Sequence, residues 1–124
     1  MALVADYTII RDGVVTLSTS GGNNSQVFNF SLQDVAAIER RCILTYLLVI
    51  RDSNTQLEFS VRLNGNPQGN FNVGNGPSFQ TLHEIVGRNV LAHGPDANQL
   101  EFSIVNGSGS IQLTDIYLLW KENV

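Results

Sequence analysis

The architecture of this chain is decided by one stretch near its C-terminal end, Gln99-Leu100-Glu101-Phe102-Ser103-Ile104-Val105-Asn106-Gly107-Ser108-Gly109-Ser110-Ile111-Gln112-Leu113-Thr114-Asp115-Ile116-Tyr117-Leu118-Leu119-Trp120. Apolar and polar side chains alternate on both sides of the Asn-Gly-Ser-Gly tetrad, and this period of two places the apolar set on one face of a strand. The tetrad supplies residues that accept positive φ. The stretch therefore predicts a β-hairpin with one buried face.

The apolar phase slips by one residue inside the second strand of this hairpin, from Ile111 and Leu113 to Ile116, Leu118 and Trp120. A β-bulge inserts one extra residue into a strand and produces such a slip. We therefore predict a bulge near Thr114 and Asp115. The same pattern places Trp120 in the core.

Two further segments carry strong strand patterns. Alternation is strict from Leu57 to Leu63, and Asn64-Gly65 follows it as a turn. The segment from Cys42 to Ile50 is apolar on both faces, which is typical of a central strand covered on both sides. We expect its Cys42 and Tyr46 side chains to lie in the core.

The remaining segments complete an all-β pattern. Tyr7–Ile10 and Val14–Ser18 flank Arg11-Asp12-Gly13, and Asp-Gly between β-rich runs predicts a first hairpin. Short strands recur at spacings near ten residues, without an amphipathic helix of useful length. The 124-residue chain therefore predicts one domain, residues 1–124, folded as an antiparallel β-sandwich or jelly roll of about eight to nine strands.

Composition and charge exclude several classes of partner. The net charge is −4 and the seven Lys and Arg residues are scattered, which argues against nucleic acid. The longest apolar run is too short for a membrane-spanning helix, which needs about 20 residues. The N-terminal residues lack the basic and apolar regions of a signal peptide, so we expect a soluble protein. The pattern does not indicate a cellular location.

Three segments together resemble the second half of galactose-binding-like β-sandwiches: Leu57–Gly65, His83–Val86 with Leu91, and Leu100–Leu118. In that family a strand ending in Asn-Gly, an apolar pair, a turn with Gly and Asn, and a final strand ending in Asp-Ile-x-Leu follow in this order. The likeness covers about two thirds of the chain, and Gly94–Asn98 departs from it by an inserted pair. The resemblance implies a non-catalytic module that binds glycans or proteins, and some members carry a structural calcium ion.

No residue pattern indicates catalysis. The two histidines, His83 and His93, lack metal-ligand spacing, and no Gly-x-Ser-x-Gly motif is present. We therefore expect no enzyme and no cofactor. A structural calcium ion stays open as an alternative, although the Asp and Asn residues are scattered through the loops.

The segment from Asn64 to Gly76 is the best candidate for binding, because side-chain amides offer a donor and an acceptor together, which vicinal hydroxyls need. The alternative is that Asn serves only turn geometry there. The predicted ligand-binding residues in this segment are Asn66, Asn70, Asn72 and Asn75. A second predicted cluster, which requires its loops to share one end of the sandwich, consists of Asp52, Arg88 and His93, together with Arg51.

Two functions follow from these observations. The first is a small carbohydrate-binding lectin that uses the Asn-rich loops. The second is a structural or assembly module that forms a homo-oligomer or docks on a larger protein particle. It is favoured by the weakly charged surface and by a second apolar row of Ile43, Tyr117 and Leu119.

Overall fold

A computed structural model describes residues 5–53, 57–72 and 78–122, with the side chains of residues 51–53 and 78 excepted. These residues form an antiparallel sandwich of nine strands and contain no helix, which confirms the predicted all-β class. The strands are β1 (Ala5–Arg11), β2 (Val15–Ser18), β3 (Ser25–Leu32), β4 (Cys42–Ser53), β5 (Glu58–Leu63), β6 (Asn66–Asn72), β7 (Ser78–Val86), β8 (Gly94–Asn106) and β9 (Gly109–Lys121).

The strands form two sheets that pack face to face. The five-stranded sheet has the order β1-β9-β4-β7, and β2 also pairs with β9. The four-stranded sheet has the order β3-β8-β5-β6. The stretch predicted as a hairpin forms the consecutive strands β8 and β9, but these belong to different sheets and do not pair with each other, so the hairpin prediction is wrong. The connection at residues 107–108 joins the two strands. It therefore links the two layers.

The core lies between the two sheets and contains the residues that alternation predicted. Tyr46 is 1% exposed and its ring centroid lies 5.0 Å from that of Phe102, edge to face across the two layers. Trp120 is buried, and its indole N–H donates to the Thr8 hydroxyl at 3.0 Å. Cys42 is a buried free thiol, and burial raises its pKa. The core predictions for these three residues are confirmed.

The predicted bulge in β9 is present at Asp115. Thr45 of β4 faces Tyr117 and Leu47 faces Thr114, so β9 has one extra residue in this interval. Asp115 has a φ of 52°, in the left-handed region that strand residues seldom adopt. The bulge returns Ile116, Leu118 and Trp120 to the core side.

The predicted first hairpin is wrong. β1 pairs with residues 116–121 of β9 and β2 pairs with residues 110–113, so both strands follow the same neighbour in the same direction. Asp12-Gly13-Val14 separates them opposite the bulge, and the Thr114 hydroxyl donates to the Asp12 carbonyl at 3.1 Å. The edge is therefore one interrupted strand, because the bulge in β9 displaces its pairing partner.

The prediction for Cys42–Ile50 is correct in one part and wrong in another. The segment is central, since β4 pairs with both β7 and β9. The outer face is covered only in part, however: Ile43 points away from the core and is 41% exposed, whereas Val49 on the same face is 7% exposed. The apolar outward residues of β4 belong to a surface described below.

Candidate functional site

The structure describes six of the seven residues predicted to bind a ligand, and it separates them. Asn66, Arg88 and His93 lie at the end of the sandwich where β4 begins, because the Asn64–Gly65 turn is hydrogen-bonded to the segment after β7. Asp52 lies near the far end of β4, where its backbone pairs with Ser110, and its side chain is outside the described residues. The predicted cluster of Asp52 with Arg88 and His93 is therefore not assembled.

The three described asparagines of the predicted loop lie on one edge strand, β6. The Asn66 amide donates to the carbonyls of Leu63 and Asn64, at 3.3 and 3.2 Å. The Asn70 amide donates to the Glu58 carboxylate at 2.6 Å, and Asn72 ends the strand. Asn75 lies outside the described residues. The edge strand thus spreads these amides along its length instead of gathering them at one point.

His93 and Asn98 hold the segment before β8 in place. The Nε2 atom of His93 lies 2.7 Å from the carbonyl oxygen of Ala36. Asn98 is fully buried, and its side chain accepts from the Ala92 N–H and donates to the Ala92 carbonyl, each at 2.8 Å. The Asn64 amide donates to the Asn98 oxygen at 2.9 Å. These contacts satisfy buried polar groups, which identifies a structural network.

A different group of residues forms a concave site on the flank of the sandwich, between the β1–β2 edge and β3. This flank cleft has a volume of about 640 Å³, within the range of roughly 300–1,000 Å³ typical of small-ligand pockets. It opens where Asp12–Val14 interrupts the edge of the five-stranded sheet. Its polar lining is supplied by Arg11, Thr16, Asn23, Gln26 and Asn29, and its apolar lining by Ile10, Val14, Val15, Val27 and Phe28.

The polar groups of the flank cleft come from both sheets and from one anchored loop. Asn23 lies in a turn whose Gly21 and Gly22 have φ near 80°, and its amide donates to the Thr16 carbonyl at 2.9 Å. The turn is pinned to the start of β9, since the Gly109 N–H donates to the Thr19 hydroxyl at 3.0 Å. The anchored turn therefore holds the side-chain oxygen of Asn23 in a fixed position.

Several hydrogen-bonding groups that line the cleft are available to bind a ligand. The Gln26 amide makes a single long bond of 3.3 Å to the next carbonyl in its own strand. Neither Arg11 nor Asn29 has a side-chain hydrogen bond or ion pair with any residue in the described ranges. The Arg11 guanidinium lies beside Gly13, at the mouth of the cleft. The cleft thus offers amide and guanidinium groups next to an apolar wall that includes Phe28.

Sequence reasoning missed these residues for a physical reason. The segment 19–25 has the same Asn- and Gly-rich composition as 64–76, which is a signal that could have drawn attention to Asn23. Gln26 and Arg11, however, line the same cleft only because β3 and the β1–β2 edge lie along the same flank of the two sheets. No local pattern reveals that proximity.

The most strongly perturbed carboxyl group lies elsewhere, inside the sandwich. Glu84 of β7 is 6% exposed, and burial raises its pKa to about 7, although the nearby Tyr46 hydroxyl lowers it in part. Neither carboxyl oxygen nor that hydroxyl has a hydrogen-bond partner of ordinary geometry within the described part of the chain. A Cβ at Gly69 of β6 would come within 2.5 Å of the carboxyl, so the opposite sheet closes over it.

Two features are absent from the described ranges, a cluster of metal-binding side chains and a membrane-spanning helix. No group of three or more His, Cys, Asp or Glu residues there could hold a metal ion. Within residues 5–53, 57–72 and 78–122, no helix is long and apolar enough to cross a membrane.

Comparison with known proteins gives likenesses of fold. No protein-family model matches the sequence, and no curated protein matches it either. Dimeric latent PorU from Porphyromonas gingivalis superposes with a TM-score of 0.72 at 11% identity, over 99% of this chain and 13% of that chain. BuGH86 in complex with neoagarooctaose has a TM-score of 0.63 at 13% identity, over 96% of this chain and 19% of that chain.

A third solved structure is similar over its whole length. The cleaved adhesin domain of Lys-gingipain from Porphyromonas gingivalis has a TM-score of 0.53 at 8% identity, over 98% of this chain and 99% of that domain. This chain therefore spans less than a fifth of the first two proteins and nearly all of the third. At such identities the likeness shows the fold. At that level, the comparisons confirm the β-sandwich fold that the resemblance implied.

Proposed function

We propose that this protein is a non-catalytic binding module that holds a neutral glycan in the flank cleft. The observation that carries the proposal is the lining of the cleft: the amide residues Asn23, Gln26 and Asn29 line a volume of about 640 Å³ together with Arg11 and with apolar residues that include Phe28. An amide offers a donor and an acceptor side by side, which matches neighbouring hydroxyl groups of a sugar. The apolar wall suits the C–H face of the ring.

Each polar residue has a separate role in this proposal. The Gln26 and Asn29 amides bond the hydroxyls, and Asn23 contributes an oxygen acceptor because its nitrogen is engaged by Thr16. Arg11 donates from its fork of N–H groups at the mouth. Phe28 and Val14 contact the ring. The cleft offers no cluster of carboxylates, so we expect binding to be independent of calcium.

Two of the similar solved structures support a binding role. BuGH86 was solved with an oligosaccharide, neoagarooctaose, and the Lys-gingipain domain is named as an adhesin. Both names describe those proteins, and binding to a glycan by this chain is our proposal. The site differs from the Asn-rich segment 64–76, which predicted the same ligand class at another place.

A glycan array followed by calorimetry tests the proposal. We expect saturable binding of at least one neutral oligosaccharide, unchanged by a calcium chelator. Gln26→Ala and Asn29→Ala should each weaken binding about tenfold, since a lost hydrogen bond costs about 1 to 1.5 kcal/mol. Asn70→Ala, on the opposite flank, is the matched control and should bind as the wild type does.

Two results would contradict the proposal. One is a wild-type protein that shows no saturable binding to any glycan on the array. The other is binding that survives Gln26→Ala and Asn29→Ala but is lost in Asn70→Ala. That second result would move the site to the edge strand β6, where the amide segment was first predicted.

A further inference from the structure

The outer face of the five-stranded sheet is apolar across its full width. One row of outward residues crosses four strands, Tyr7, Leu119, Ile43 and Ile85, as the strand register shows. The next row is Ile9, Tyr117, Thr45 and His83. Phe79 lies further along β7, opposite Val49. These residues are here named the apolar face.

The apolar face is large enough for a stable interface. Its six most exposed apolar side chains are between 40% and 74% exposed: Tyr7, Ile9, Ile43, Phe79, Ile85 and Leu119. Large side chains have areas near 200 Å², so the set exposes roughly 600–700 Å². A standard interface buries roughly 800 Å² on each partner. Exposed apolar surface of several hundred Å² often marks an interaction site.

The face carries both a projection and a depression. Phe79 is 74% exposed, more than any other large apolar side chain of the described residues. A pocket of about 360 Å³ lies at the other end of the face, lined by Ile43, Ile85 and Leu119 with Ala5, Cys42 and Trp120. Arg41 and Lys121 also line this pocket, at the end of the sheet. The pocket can accept an apolar side chain of a partner.

The projection and the pocket are related in a way that suits a two-fold axis. Phe79 and Ile85 are six residues apart on the same strand and on the same face, which corresponds to about 20 Å. A two-fold axis that crosses the middle of β7, parallel to the sheet and perpendicular to its strands, places Phe79 of each copy over Ile85 of the other. Both contacts then form at once, as an isologous interface requires.

From this geometry we infer that the apolar face binds a second copy of this chain, with Phe79 of each copy in the Ile43–Ile85–Leu119 pocket of the other. A partner of different sequence would use only the projecting Phe79 or only the pocket. The presence of both on one face lets two copies bind each other reciprocally, which favours self-association. The axis also leaves both flank clefts exposed, because the clefts lie beyond the opposite edge of the sheet.

Sedimentation velocity over a range of protein concentrations tests this inference. We expect the wild type to reach twice the monomer mass, and Phe79→Ser or Ile85→Asp to raise the dissociation constant at least about 100-fold. Both side chains are exposed in the single copy, so the variants should keep the wild-type circular dichroism. Val105→Asp, an exposed apolar position on β8 in the other sheet, is the matched control and should leave the dimer intact.

Mixing the two disrupted variants tests the register of the contact. The Phe79→Ser copy keeps its pocket and the Ile85→Asp copy keeps its phenylalanine, so one of the two contacts can form. We expect the mixture to associate more tightly than either variant alone. A monomeric wild type at high concentration would overturn the inference, and so would a dimer that persists in both variants or a mixture no tighter than its parts.

Discussion

The carboxyl group of Glu84 is enclosed between the sheets beside the Tyr46 hydroxyl, and its protonation is linked to folding. Burial raises its pKa from 4.5 to about 7 in the folded chain. Below pH 4.5 the carboxyl group is neutral in both the folded and the unfolded chain, so its ionisation does not lower the free energy of unfolding. Between these two values the unfolded chain loses the proton and the folded chain keeps it, so stability falls as pH rises, and the full cost applies above pH 7.

Replacing Glu84 by Gln removes this linkage while keeping the shape of the side chain. Because one pKa unit corresponds to about 1.4 kcal/mol, we expect Glu84→Gln to be more stable than the wild type at pH 8 by up to about 3 kcal/mol, and to differ little near pH 4.5. Urea unfolding at both pH values measures the difference. Glu101→Gln, in the other sheet, is the control. An equal difference at both pH values would show that Glu84 ionises normally.

Asn98 stabilises the fold through buried hydrogen bonds that local sequence does not reveal. Its side chain bonds Ala92 twice and Asn64 once, and it is fully buried. We expect Asn98→Ala to lower the free energy of unfolding by about 3 kcal/mol, since it leaves buried polar groups unpaired. Thermal unfolding tests this, with the exposed Asn70→Ala expected to stay within about 0.5 kcal/mol of the wild type. A loss below 1 kcal/mol would refute the network.

Such side-chain roles were only partly predictable from sequence. Alternation placed Tyr46 and Trp120 in the core, because burial on one face of a strand needs no knowledge of the partner strand. The pairing of Asn64 with Asn98 joins residues more than thirty positions apart, and the composition of the loops does not specify it. Asn66, which was predicted to bind a ligand, instead donates to the carbonyls of Leu63 and Asn64 at the turn.

At the scale of elements, one bulge explains several features of the fold. The extra residue at Asp115 interrupts pairing with the edge, separates β1 from β2, and opens the flank cleft beside Arg11. The phase slip in the sequence predicted the bulge, since it changes side-chain direction directly. The Asp-Gly signal at residues 12–13 was misleading, because turn chemistry is local and both flanking strands pair with residues about a hundred positions later.

The backbone at Asp115 offers a direct test of this bulge. Its φ of 52° is strained for any residue with a Cβ, and most of all for a β-branched one. We expect Asp115→Val to cost about 2 kcal/mol, and Asp115→Gly to be neutral or to stabilise by up to about 1 kcal/mol. Ser103→Val, in an ordinary strand position, is the control. Equal stability of the Val and Gly variants would argue against the positive φ.

At the scale of the whole molecule, the two proposals place ligand and partner on different sides. The flank cleft lies at the β1–β3 edge of the sandwich, and the apolar face presents β7 at its other edge. The inferred two-fold axis runs across the strands, so it keeps the cleft edges of both copies on the same side of the dimer. Two clefts that open in one direction can engage one glycan-coated surface together.

This arrangement predicts that affinity and avidity can be separated by mutation. Ile85→Asp should bind a single soluble oligosaccharide as tightly as the wild type, because the cleft is unchanged. On a surface dense in the same glycan it should bind about 100-fold more weakly, since the second attachment of a dimer is intramolecular. Surface plasmon resonance at low and high glycan density measures both quantities, and Gln26→Ala should weaken both. If Ile85→Asp keeps the density dependence of the wild type, the dimer does not direct its two clefts to one surface.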